Sequence, residues 1–196
     1  MMRALRALVI VIALSLELYA AYAALHPRVS QEYRAFFIDH TTKDWKSPHY
    51  AATPEQGVIF SKEGWPEFVR YAYGFSFRED WGRWSDADMY PAAALVFNRQ
   101  FRGPLCIEFL AHPSAAEMGK QMEVALGQNT SVVTLSKPDF VTYRISFDNA
   151  QPADTLQFRF NGKVPVNEKF YPASRDSRRL GVGLAWLRIL PGTCKQ

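Results

Sequence analysis

The sequence predicts an all-β fold, an antiparallel jelly-roll-like β-sandwich preceded by one N-terminal hydrophobic helix. Three observations predict it. In the second half of the chain Val141, Tyr143, Ile145 and Phe147 alternate with Thr142, Arg144 and Ser146, and Leu156, Phe158 and Phe160 alternate with Gln157 and Arg159. That period of two is the signature of a half-buried strand. Turn residues such as Gly127-Gln128-Asn129-Thr130 and Asn161-Gly162 break these runs at short intervals, with no helical periodicity between them. The one long apolar segment stands at the N-terminus, behind Arg3 and Arg6.

Taken in order, residues 1–25 form a membrane anchor or signal segment. Residues 7–16 are apolar apart from Ser15, Glu17 interrupts, and residues 18–25 are again apolar or aromatic. One reading is a signal peptide cleaved after Ala21-Tyr22-Ala23. The other is a spanning helix in which Glu17 costs about 2–3 kcal/mol. Both leave Arg3 and Arg6 inside and the remainder outside. The location that follows is the inner membrane, single-pass with the C-terminal domain in the periplasm, or the periplasm after signal cleavage. Residues 26–56, punctuated by Pro27, Pro48 and Pro54, read as a linker.

Residues 57–196 form the sandwich. Residues 58–60 are a short strand. Pro66 is placed to start one helical turn running to Val69. Residues 92–97 and 105–110 are strands, and residues 112–119 a loop. Met122, Val124 and Leu126 point inward from a strand that turns at 127–130 and returns over 132–135. Strands over 141–147 and 156–160 follow, then a polar loop over 164–179. Residues 184–190 are the last strand, stopped by Pro191-Gly192. The total is about seven to nine short strands, as a sandwich needs.

The chain has 196 residues, 14% of them aromatic, and a net charge of +4. So mild a charge, with no run of like charges, argues against a nucleic-acid partner. The four histidines have no metal-ligand spacing and no Cys-x-x-Cys occurs, so no metal and no cofactor is expected. No nucleophile elbow, phosphate loop or zinc-protease motif is present, and a non-enzyme is expected. Cys106 and Cys194 either join the strand over 105–110 to the C-terminal tail in an oxidising compartment, or leave Cys106 as a small buried apolar residue.

The stretch Gly74-Phe75-Ser76-Phe77-Arg78-Glu79-Asp80-Trp81-Gly82-Arg83-Trp84-Ser85-Asp86 is too polar and too interrupted for a core strand, and too aromatic for a solvated loop. It folds over the mouth of a core or lines a binding surface. Flat indole faces stack on sugar rings, while Arg and acidic groups meet hydroxyls. Candidate ligand-binding residues are Arg78, Glu79, Asp80, Trp81, Arg83 and Trp84, with Asp176 and Arg178 from the 164–179 loop as a facing polar rim that also takes in Ser174. Trp81 and Trp84 have a structural alternative as core plugs, and Arg83 as an ion-paired pin for the loop.

Gly82-Arg83-Trp84-Ser85-Asp86-Ala87, Leu95-Val96-Phe97, the hairpin through Val124 and Leu135, and Arg179-Leu180-Gly181-Val182-Gly183-Leu184 together resemble one family. It is the C-terminal periplasmic β-sandwich of bacterial phosphoglycerol transferases that decorate osmoregulated periplasmic glucans, and of related membrane-bound envelope glycosyltransferases. The resemblance implies an accessory, non-catalytic module, because the chemistry of those enzymes sits in a separate metal-dependent domain. Its implied partners are an envelope glycan, or a membrane-bound glycosyltransferase or phosphoglycerol transferase beside which it docks. The alternatives are a structural subunit of a glycan synthesis or export complex that binds protein only, and a phosphoglycerol or glycan transferase.

Overall fold

The computed structural model describes residues 2–25, 29, 34, 49–148, 151–170 and 176–195. Most of the expected linker, and Ser174 of the expected polar rim, lie outside the described residues. The expected N-terminal helix is α1 (Met2–Leu25). Then come β1 (His49–Tyr50), β2 (Val58–Ile59), β3 (Trp65–Pro66), β4 (Val69–Tyr73), β5 (Phe75–Arg78), β6 (Arg83–Asp86), β7 (Ala92–Phe101) and β8 (Leu105–Pro113). The second half adds β9 (Gln121–Leu126), β10 (Asn129–Thr134), β11 (Val141–Phe147), β12 (Ala153–Phe160) and β13 (Leu180–Pro191).

Two antiparallel sheets face each other. One has the order β10-β9-β12-β7-β4. The other has the order β11-β8-β13-β6-β5, with β2 pairing the remaining half of β13's edge. From β7 onward the chain passes to the opposite sheet at β8, β9, β11, β12 and β13, which is the jelly-roll pattern the sequence predicts. The alternating residues explain the core. Met122, Val124, Leu126, Leu156 and Phe158 of the first sheet meet Ile107, Phe109, Val182, Leu184 and Ile189 of the second, all buried. Phe109 and Phe158 pack edge-on across the layers at 5.3 Å. Each such side chain contributes roughly 1.5–3 kcal/mol of burial free energy.

Several local expectations are corrected. Pro66 starts no helical turn. Trp65 and Val69 are both core residues, and Trp65 packs on Phe60 and Phe75 at 5.9 and 5.5 Å, so burial holds the chain extended in β3 and β4. The stretch 74–86 is not a loop over the core but the hairpin β5–β6. Its buried polar groups are usable inside the fold because they find partners: Ser85 Oγ accepts the N–H of Val182 at 2.8 Å. His112 and Pro113 belong to β8 rather than to a loop, and β13 begins at Leu180 rather than at residue 184. Within the stretch read as linker, His49–Tyr50 pairs in parallel with Trp65–Pro66, and the Tyr50 hydroxyl accepts the N–H of Ile59 at 2.9 Å.

Among the described residues no helix is long and apolar enough to cross a membrane, so the transmembrane anchor expected for residues 1–25 is not borne out there. Ser15 and Glu17 interrupt the apolar run of α1. Cys106 and Cys194 form a disulfide across 88 residues, tying β8 to the tail. Such a bond belongs to an oxidising compartment outside the cytoplasm.

Strand β13 sets up the outer surface of its sheet. A bulge at Ala185 shifts its register against β8, where Leu184 pairs with Ala111 and Trp186 with Leu110. The extra residue reverses the alternation. Leu184 and Leu187 both face the core, while Gly183 and then Trp186 and Arg188 face outward.

Candidate functional site

The site grows from Gly183. On one side β13 pairs it with Trp84 of β6, and on the other with His112 of β8. Both neighbours stand on the outer face, so the missing side chain of Gly183 leaves a socket between them. Trp81, at the turn of the β5–β6 hairpin, drops into that socket. A Cβ on Gly183 would come within 2.6 Å of His112 Nε2 and 2.7 Å of Trp81 Cη2. Trp81 meets Trp84 edge-on at 5.2 Å and His112 at 5.0 Å. Phe140 closes the cluster at 4.3 Å from His112 and 5.4 Å from Trp81. Burial favours the neutral imidazole and pushes the pKa of His112 below its ordinary 6.5.

Glu79 fixes the hairpin tip. Its carboxylate accepts the indole N–H of Trp81 at 2.9 Å. Arg178 reaches over from the loop before β13, with a 3.6 Å contact to Glu79 and a two-pronged bond to Asp176, both contacts at 2.8 Å. The Arg178 guanidinium holds the Asp176 carboxyl below its usual range despite partial burial, and Asn167 donates a further bond at 3.3 Å. The loop and the hairpin are thus joined by charge-assisted hydrogen bonds.

Between them lies a cleft of about 510 Å³. Trp84, His112, Met118 and Leu180 supply its apolar lining, and Glu79, Ser114, Asn167, Asp176 and Arg178 its polar groups. Two lining atoms, Ser114 Oγ and His112 Nε2, are buried and have no hydrogen-bond partner among the described residues. Ser114 is only 4% exposed. An unpaired buried hydroxyl costs roughly 1–3 kcal/mol, which an incoming polar ligand would recover.

Of the eight residues singled out in the sequence, Glu79, Trp84, Asp176 and Arg178 line this cleft, and Trp81 buttresses its aromatic wall. The other three do not. Arg83 is 3% exposed, with its guanidinium over the Trp65 ring at 5.0 Å, on the core side of β6. Arg78 is exposed and donates to the Ser61 carbonyl at 3.2 Å. Asp80 is exposed at the hairpin tip and outside the cleft. Sequence reasoning missed His112 and Ser114, because residues 112–119 read as loop. The alternation of Glu108, Leu110 and His112 on one face of β8 was the available signal.

The fold and cleft define an antiparallel sandwich that carries its candidate site on the outer face of one sheet. The chain belongs to the family described as Domain of unknown function (DUF7024), matched over residues 44–191. It is also similar to Phosphoglycerol transferase I of Citrobacter koseri, 26% identical over 132 residues, and of Escherichia fergusonii, 25% identical over 132 residues. Each match covers 67% of this chain, which spans 17% of the relative's length. The resemblance to phosphoglycerol transferases read from the sequence is thereby met. Among solved structures the chain is similar to CBM29_1, a family 29 carbohydrate binding module from Piromyces equi. The TM-score is 0.47 at 15% identity, covering 70% of this chain and 90% of that one.

Proposed function

We propose that the sandwich is a non-catalytic accessory module that binds a neutral glycan segment in the cleft between Trp84 and Arg178, beside a glycan-modifying enzyme of the envelope. The observation that carries this reading is the chemistry of the cleft. An aromatic wall stands against a ring of hydroxyl-binding groups, and inside it Ser114 Oγ and His112 Nε2 have no partner among the described residues. Two carboxylates face one guanidinium there, and the imidazole is held neutral, so a phosphate or other anion gains little. A pyranose offers an apolar face for Trp84 and hydroxyls for the rim. The likeness to part of a phosphoglycerol transferase supports the choice of an envelope glucan as ligand and of such an enzyme as neighbour. The location proposed is the periplasmic side of the envelope, to which residues 1–25 deliver the domain.

The test is titration of the full chain with neutral β-linked gluco-oligosaccharides, followed by intrinsic Trp fluorescence and calorimetry. Binding is expected, weakened about tenfold or more by Trp84→Ala and by Asp176→Asn. No response to such glycans at millimolar concentration would overturn the reading.

A further inference from the structure

A second cleft, of about 440 Å³, lies on the same outer face, lined by Gln56, Ile59, Ser61, Trp81, Trp186 and Arg188 among others. Trp81 is the partition. It packs against Trp84 and His112, which wall the first cleft, and itself lines the second. The two are close. Gly183 lies beneath the Trp81 partition and Trp186 in the second cleft, three residues apart along β13, a rise of no more than ~10 Å, which a short run of sugar rings bridges. The bulge at Ala185 is what turns Trp186 outward to that side. Trp186 sits with the Arg188 guanidinium 5.6 Å from its ring centroid, and Ile59, paired with it on β2, is 37% exposed. Arg78, which the sequence singles out and the first cleft leaves unused, reaches the Ser61 carbonyl at the rim of the second.

We infer that the two clefts are consecutive subsites for one glycan chain, which crosses Trp81 and places its continuing rings against Trp186, with Gln56, Ser61 and Arg188 meeting their hydroxyls. This rests on the glycan reading above. It adds a length selectivity that the first cleft alone does not confer, because a chain of one or two rings fills only the first subsite and a longer one fills both.

The experiment compares a β-linked gluco-disaccharide with the hexasaccharide on the full chain and on two variants, Trp186→Ala and Ile59→Lys. The second variant places a long charged side chain across the second cleft from an exposed edge position, and covers the case in which Trp186→Ala loosens the sheet. Near-UV circular dichroism reports the fold of each. The hexasaccharide is expected to bind the unmodified chain about tenfold or more tighter than the disaccharide. Each folded variant is expected to lose that advantage while disaccharide affinity stays unchanged. A hexasaccharide that binds no tighter than the disaccharide, or variants that keep the full length advantage, would overturn the second subsite and leave the first standing. Binding of neither sugar would overturn both.

Discussion

The carboxylate of Glu79 accepts the indole N–H of Trp81 at 2.9 Å across the tip of the β5–β6 hairpin, and the same carboxylate lies 3.6 Å from Arg178. One side chain therefore holds the aromatic partition in its socket and ties the hairpin to the loop before β13. Glu79→Gln keeps an acceptor but removes the charge, whereas Glu79→Ala removes both. With the carboxylate about a third exposed, the loss of stability is expected to be modest, about 1 kcal/mol for Ala and less for Gln. The sharper readout is Trp fluorescence, which should shift toward a solvated indole for Ala and much less for Gln. Identical spectra in all three proteins would show that Glu79 does not position Trp81.

Gly183 has an ordinary strand partner on each side, so its importance is one of space. A methyl group there meets His112 Nε2 and the far edge of Trp81 at 2.6–2.7 Å, closer than packed atoms approach. Gly183→Ala is expected to push Trp81 out of the socket and to cost about 1–3 kcal/mol, as overpacking does. Denaturant unfolding measures the cost. Combining it with Trp81→Ala, which empties the socket, should recover part of the loss. A double variant whose losses simply add would mean that the methyl clashes elsewhere.

How much of this was legible in the sequence follows from the physics of each part. The alternation in β9, β11 and β12 names the inward residues because a half-buried strand allows one arrangement only. The hairpin β5–β6 was misread because its buried polar groups depend on distant partners. Ser85 is satisfied by Val182, nearly a hundred positions away, and Arg83 lies over Trp65. Local polarity then argues for a loop where tertiary pairing makes strands. Glu79, Trp84, Asp176 and Arg178 were found because indoles, acids and arginines are conspicuous in type. His112, Ser114 and Trp186 were not, because their exposure depends on the register of β8 and on the bulge at Ala185.

Glu108 is 3% exposed on β8 and bonds to both Arg144 and Arg188. Burial works against its ionisation, but the two guanidiniums outweigh it and hold its carboxyl below its ordinary 4.5. A depressed carboxyl contributes stability that is present above the unfolded pKa and lost as the pH falls through the folded one. Glu108→Gln is expected to cost about 1–3 kcal/mol at neutral pH, because two arginines lose their counter-charge. It is also expected to flatten the acid limb of the stability profile below about pH 4.5. A variant as stable as the parent at neutral pH would show that the triad contributes nothing net.

The disulfide between Cys106 and Cys194 closes a loop spanning 88 residues and leaves the tail beside β11, where Ser146 Oγ accepts the Cys194 N–H at 2.9 Å. Reduction, or Cys106→Ala with Cys194→Ala, releases that constraint on the unfolded chain and is expected to cost about 2–5 kcal/mol. The core between the two sheets is built from apolar side chains other than the two cysteines, so the variant should still fold at low temperature with its sandwich spectrum intact. Equal unfolding midpoints with and without reductant would contradict the tie.

His112 makes the aromatic cluster sensitive to pH, and the sign is fixed by its environment. Its folded pKa is depressed below 6.5 by burial among Trp81, Trp84 and Phe140, and the neutral ring is the form the cluster accepts. Above about pH 7 the ring is neutral in both folded and unfolded chains and titration contributes nothing. As the pH falls below the unfolded value the unfolded chain takes up the proton first, so stability declines until the folded ring also protonates. The unfolding midpoint is therefore expected to fall as the pH drops below about 6.5, with the Trp fluorescence of the folded protein changing only at the lower pH where the folded ring itself protonates. His112→Phe fills the same space without a titrating group and should remove that slope while keeping the cluster. A slope unchanged in the variant would assign it to another group.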